Sequence, residues 1–260
     1  MTTGLAWDKL RHLEENMIRK AAFCFILVAF TNLLFGDIIN TTDPGQIAAF
    51  QTGATVQNFE SISGHTPETI IAYTAGSPIS EATAFIFDEI TGVQFSVGGA
   101  PGTNKPALYN LSGGIAGDAK SATTVLGPVD FDGTTLFSSS ALIEIFFPTK
   151  VSKVGFWLNP SLGNVNIIAL DTNFAFSKLP ESTLESANNV TAGNFVGISR
   201  PTADIGGFKI IALAGTAGFT IDDFTFGGSS TTTTVPEPGT VVLLGTALVT
   251  LGLWKRLRVS

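Results

Sequence analysis

Residues 153–170 read Lys-Val-Gly-Phe-Trp-Leu-Asn-Pro-Ser-Leu-Gly-Asn-Val-Asn-Ile-Ile-Ala-Leu. In the first six, Val154, Phe156 and Leu158 alternate with Lys153, Gly155 and Trp157, the period of two that puts every second side chain of a strand on one face. Pro-Ser-Leu-Gly reads as a turn, and 164–170 as a neighbouring strand beyond it. Short apolar alternations recur along the chain at 55–60, 69–73, 92–98, 107–111, 123–126, 141–147, 174–176, 194–199, 207–213 and 219–226. Turn residues separate them, and no apolar spacing of three and four is sustained over a dozen residues. The expectation is an all-β fold, an antiparallel β-sandwich or jelly roll over residues 37–227.

Composition agrees with this reading. Phe is abundant at 21 residues and charged residues make up only 13% of the chain, which suits aromatic side chains filling the space between two sheets. Two stretches interrupt the strands. Residues 112–120 are Gly-rich and read as a loop, whereas 178–194 are polar and read as a loop or as a short helix over 180–187. The body carries seventeen acidic against seven basic side chains, a net of −10. With no basic patch to release counterions, nucleic acid and anionic lipid are excluded as partners of the body.

Both ends of the chain depart from the body. At the front, Arg19-Lys20 precedes an almost wholly apolar run from Ala21 to Phe35 and then Gly36-Asp37, the pattern of a secretory signal peptide over 1–36. The polar residues before Met17 are foreign to such a signal, and Met17 is read as the true start. The single Cys24 lies inside the apolar run, so the mature chain is expected to have no disulfide. At the back, Gly-Ser-Thr residues 228–234 form a flexible linker. The last segment, 235–260, starts with Val235 and Pro236-Glu237-Pro238. Residues 239–254 then carry no charge, and Lys255, Arg256 and Arg258 follow. As a helix the uncharged run is about 24 Å long, a short transmembrane anchor whose basic end stays cytoplasmic. Flanking prolines keep Glu237 extended and accessible at the membrane edge.

This ordered tail resembles the PEP-CTERM sorting signal of Gram-negative bacteria. The resemblance implies that the chain is the cargo of an exosortase, a membrane-embedded cysteine transpeptidase or protease that recognises the tail. It further implies export through the inner membrane, transient anchoring, and delivery to the cell surface or an extracellular matrix of exopolysaccharide and biofilm. A non-catalytic role follows for the chain itself.

Side chains able to carry chemistry are sparse in the body. His65 stands in a Ser-Gly-His-Thr-Pro turn, without a nucleophile-elbow motif or zinc-ligand spacing around it. Oxygen ligands suit calcium better. In Phe219-Thr-Ile-Asp-Asp-Phe-Thr-Phe226, alternation aims one of Asp222 and Asp223 towards the sandwich, where a carboxylate must be paired, hydrogen-bonded or metal-bound. First and last strands of a sandwich often lie close together, so Glu60 could join them in a structural calcium site; a solvated strand end without an ion is the other reading. Asp130 and Asp132 imitate a calcium loop but read as a plain turn. Exposed aromatic rings are the usual platforms for sugars, and Trp157 and Tyr109 are the candidates. Trp157 points opposite to Phe156 and Leu158, either as a platform or into a second packing layer. Glycan hydrolysis needs two facing carboxylates, and Glu144 has no assignable partner. The strands at 154–156, 195–198 and 221–227 also resemble those of the jelly rolls of carbohydrate-binding modules, many of which hold one calcium. That second resemblance implies a polysaccharide partner.

Overall fold

The computed structural model describes residues 36–70, 82–96, 105–111, 118–129, 142–171, 182–213 and 218–228. Of the predicted signal over 1–36 and linker over 228–234 only Gly36 and Gly228 are described; the tail at 235–260, the expected strand at 174–176 and Asp130 and Asp132 also lie outside the described residues. No helix among the described residues is long and apolar enough to cross a membrane.

Among the described residues thirteen strands form two sheets, as the alternation requires. One sheet contains β1 (Asp37–Thr41), β2 (Ala54–Gln57), β3 (Glu68–Thr69), β5 (Lys105–Asn110), β6 (Thr124–Val129), β8 (Lys153–Leu158), β11 (Phe195–Ser199) and β13 (Ile221–Gly227), in the order β1-β11-β8-β13-β6-β5-β3 with β2 also on β13. The other orders β10 (Thr183–Val190), β9 (Val165–Leu170), β12 (Ile205–Ala212), β7 (Leu142–Val151) and β4 (Gln94–Phe95). Pairing is antiparallel throughout except between β3 and β5. Phenylalanines join the layers: Phe156 meets Phe208 edge-on at 6.3 Å, and Phe147 stacks with Phe226 at 6.1 Å. Such pairs add to the burial of apolar area that drives the sheets together.

The segment at 153–170 forms two strands, but they are not neighbours. β8 lies between β11 and β13, whereas β9 lies between β10 and β12 in the opposite sheet. The intervening turn crosses between layers, held by Asn159, whose Nδ2 donates to Thr220 Oγ1 at 2.9 Å and whose Oδ1 accepts from Ser161 N–H at 2.8 Å. A hairpin and a crossover leave the same apolar alternation in sequence, and only the hydrogen-bonded partners distinguish them.

The polar stretch expected to be a loop or short helix is instead the edge strand β10. Its pairing with β9 is interrupted by irregularities at 183–185 and 187–190, and Asn189 takes φ 54°. An edge strand with one face in solvent does not need an apolar stripe, which hides it from pattern reading.

An eight-residue helix, α1 (Pro44–Gln51), was not expected. Its signal is local: Asp43 caps the amides of Gly45 and Gln46 at 2.7 and 3.0 Å, with Pro44 at the first position. Phe50 anchors α1 to the outer face of the eight-stranded sheet, edge-on to Phe195 at 5.4 Å. Its seat is the cross-strand pair Gly155 and Gly197, where an added Cβ would stand 2.9 and 2.8 Å from the Phe50 ring. Lys153 Nζ donates to the carbonyls of Phe50 and Thr52 at the helix end.

Candidate functional site

The Asp222-Asp223 pair sits at a β-bulge. Pairing between β13 and β8 runs Ile221 with Leu158 and Asp222 with Trp157, then resumes with Thr225 opposite Gly155. Three steps on one strand match two on the other, and the extra residue, Asp223, takes φ 46°. The bulge resets the parity, so Ile221, Phe224 and Phe226 all face the core. Asp222 shares the outer face with Trp157. Neither carboxylate therefore projects between the sheets, contrary to the unbroken alternation expected from sequence.

Asp222 is nevertheless only 1% exposed, because residues 118–124 cover it. Ser121 holds the carboxylate twice, its N–H donating to Oδ2 at 2.6 Å and its Oγ to Oδ1 at 2.8 Å, and the Asp223 N–H donates to Oδ1 at 2.7 Å. Burial raises the Asp222 pKa to about 6; these donors pull it down, and Asp223 pushes it up. Asp223 is also raised by burial, against the pull of Ser121 and Lys120.

Glu60 reaches the same covering segment two residues further along. Its Oε1 accepts from the amides of Thr123 and Thr124 at 2.8 and 2.7 Å, and its Oε2 from Thr124 Oγ1 at 3.1 Å. Glu60 and Asp222 thus hold one segment at adjacent points. Their oxygens face N–H and O–H donors, the pattern of carboxylates satisfied by protein, and among the described residues no three His, Cys, Asp or Glu side chains gather to hold a metal. As folded, the set does not form a three-carboxylate calcium cage.

The two aromatic candidates separate cleanly. Tyr109 is fully buried, its hydroxyl donating to the Pro128 carbonyl at 3.0 Å, and its ring lies where a Cβ on Gly127 would come within 2.5 Å. It cannot serve as an exposed platform: β5 and β6 are buried on both faces, with a second apolar cluster of Ala107, Tyr109, Val125 and Val129 behind the main core. Trp157 is half-buried on the outer face, between Phe195 and Asp222. Lys120 Nζ stands 4.4 Å from its ring centroid, a cation–π contact that occupies one face of the ring. Neither Lys120 nor Ser121 is foreseeable from the strand pattern, since both belong to a loop.

Two other titratable side chains are engaged. Glu144 pairs with Lys209 directly across β7 and β12, at 3.0 Å, and so faces a cation. His65 has Nε2 at 3.0 Å from Glu89 Oε1 and Nδ1 at 2.9 Å from the Thr83 carbonyl, so it is a tethered loop residue, not a freely solvated one. The sorting candidates Pro236, Glu237, Pro238, Lys255, Arg256 and Arg258 lie outside the described residues.

No family model and no curated protein matches the chain. Among solved structures, the K2 cleaved adhesin domain of Lys-gingipain matches with a TM-score of 0.37 at 12% identity, over 68% of this chain and 100% of that one. TmCBM61, solved in complex with beta-1,4-galactotriose, matches with a TM-score of 0.25 at 16% identity, over 52% of this chain and 88% of that one. At these scores neither neighbour's binding properties transfer to this chain.

Proposed function

We propose that this chain is an exported, non-catalytic cell-surface or extracellular-matrix protein whose sandwich body lodges among exopolysaccharide after an exosortase has processed its tail. The observation that carries the reading is the order of the C-terminal residues: Pro236-Glu237-Pro238, sixteen uncharged residues at 239–254, and then Lys255, Arg256 and Arg258. A basic end beside a short apolar run resists translocation, while the Pro-flanked Glu237 stays extended for a protease or transpeptidase. The body suits release into a cation-rich exterior, with its net of −10 and its half-buried Trp157 on an outer sheet face.

The test is the intact mass and location of the mature protein in its Gram-negative host, beside a strain in which Pro236, Glu237 and Pro238 are replaced by Ala. Loss of the tail near residue 236 in the wild type only, with the variant retained full-length in the membrane, is the expected result. If both proteins keep Trp254 and the basic end, the chain is a plain tail-anchored protein and the sorting reading fails.

A calcium-dependent carbohydrate-binding role is the second reading, favoured by one observation: Asp222 is a deeply buried carboxylate raised to about 6 next to Asp223. A divalent cation there would relieve the desolvation, with Glu60, Asp222 and Asp223 as ligands. It would have to displace the Ser121, Thr123 and Thr124 donors first. Thermal unfolding with calcium and with chelator decides between them: a rise in Tm that disappears in Asp222→Asn supports calcium, and identical curves remove it.

A further inference from the structure

The loop between β2 and β3 encloses a solvent-open cleft of about 350 Å³ against β5. That is room for about a dozen waters, enough for one whole sugar ring with water beside it and too little for an extended chain. Ile62 and Pro67 give it partly exposed apolar surface above the buried Phe59 and Leu108, and its rim is polar, with Ser61, Ser63 and His65. A pyranose has the same division, an apolar C–H face and an edge of hydroxyls.

The walls are pinned before any ligand arrives. Phe59 adopts φ 63°, an unfavourable backbone for a bulky residue. It is kept there by burial of the ring to 1% exposure and by Asn58 Oδ1, which accepts from the Glu60 N–H at 3.3 Å. Glu60 is tied to Thr123 and Thr124, and the far end of the loop is tied through His65 to Thr83 and Glu89. By contrast, the exposed hydroxyls of Ser61 and Ser63 make no hydrogen bond to any described residue. A cleft with tied walls, whose rim hydroxyls have no partner among the described residues, binds without the cost of ordering a loop.

Charge narrows the class of ligand. Carboxylates of Glu60 and Glu89 stand at and beside the rim, no Lys or Arg is among the described lining residues, and His65 is already turned to Glu89. A uronate would therefore meet repulsion, whereas an uncharged ring would not. We propose that this cleft seats one neutral pyranose unit of a polysaccharide, at a place separate from Trp157. The proposal rests on the exopolysaccharide reading above and names where on the body, and to which kind of unit, the polymer attaches.

Saturation-transfer NMR of the full chain, with methyl glucoside, methyl galactoside, N-acetylglucosamine and glucuronate as probes, tests it together with retention on a neutral and a uronate-rich polysaccharide. Wild type, Ser63→Tyr, the pair Ser61→Ala and Ser63→Ala, and Trp157→Leu are compared, each checked for an unchanged melting curve. At least one neutral ring should give transfer at least tenfold stronger than glucuronate. That signal should fall at least tenfold in Ser63→Tyr, fall in the alanine pair, and survive in Trp157→Leu. If neutral polymer is retained but both cleft variants bind like wild type, the cleft proposal is wrong and polysaccharide binding stands. Stronger transfer to glucuronate also overturns it. If no saccharide or polymer binds any of the proteins, the exopolysaccharide reading falls as well.

Discussion

Substituting Asn for Asp222 removes a proton-binding site that only the folded chain strengthens. Asp222 is 1% exposed, and burial raises its pKa from the ordinary 3.8 to about 6. The folded protein therefore binds more protons than the unfolded chain between pH about 4 and about 6. This group's contribution to stability is complete below about pH 4 and is lost as the pH rises through about 6. At about 1.4 kcal/mol for each tenfold in proton affinity, the whole window amounts to about 3 kcal/mol. For a urea dependence of about 2–3 kcal/mol per molar, the midpoint of wild-type unfolding should drop by about 1 M between the two ends of the window. The assay is urea unfolding followed by far-ultraviolet circular dichroism at steps between pH 4 and 7.5. Wild type should gain stability on acidification across that range, and Asp222→Asn should lose most of the gain while keeping the smaller one from Asp223, which is shifted the same way. Parallel profiles for the two proteins would refute the reasoning, because they would mean that Asp222 titrates alike in both states.

Other expectations follow from the packing. Ser121→Ala deletes one donor to Asp222 and should move the acid-stabilised window to higher pH, read in the same urea series. Gly197→Ala drives a Cβ to 2.8 Å from the Phe50 ring and 2.9 Å from the Val154 carbonyl, so it should cost about 1–3 kcal/mol. Part of that should return in the double variant with Phe50→Ala, and strictly additive losses would show that the ring is not what the glycine accommodates. Tyr109→Phe leaves the Pro128 carbonyl without its buried hydroxyl donor and should lower stability by about 1–2 kcal/mol; an unchanged thermal midpoint would contradict that bond.

Legibility in the sequence followed locality. Strands with one buried face, such as Lys153–Leu158, were readable to the residue, because solvent on one side and core on the other impose the period of two. Strand β10 was not, since an edge strand packs too little of itself to leave a pattern. The candidate site was half legible. Asp222 stood out as a carboxylate among apolar neighbours and Glu60 by its place in an early strand, and they do hold one common segment, but its donors, Ser121, Thr123 and Thr124, come from a loop and the first residue of β6, which carry no periodic signal. Tyr109 and Trp157 look alike in sequence as aromatics on alternating strands. A second apolar layer behind β5 buries the first, whereas behind β8 the Phe50 ring of α1 covers Gly155 and Trp157 stays half-buried.

The sequence by itself determined the fold class, the acidity of the body, and the expectation of a signal, a spacer and a sorting tail, because each depends on composition or on residues adjacent in the chain. Only the tertiary structure decided which sheet each strand joins, that the bulge at Asp223 turns Asp222 away from the core, and that Phe50 rests in a seat made by Gly155 and Gly197. These are relations between residues dozens of positions apart. Hydrogen-bond register and close packing set them, and neither leaves a mark on the local pattern.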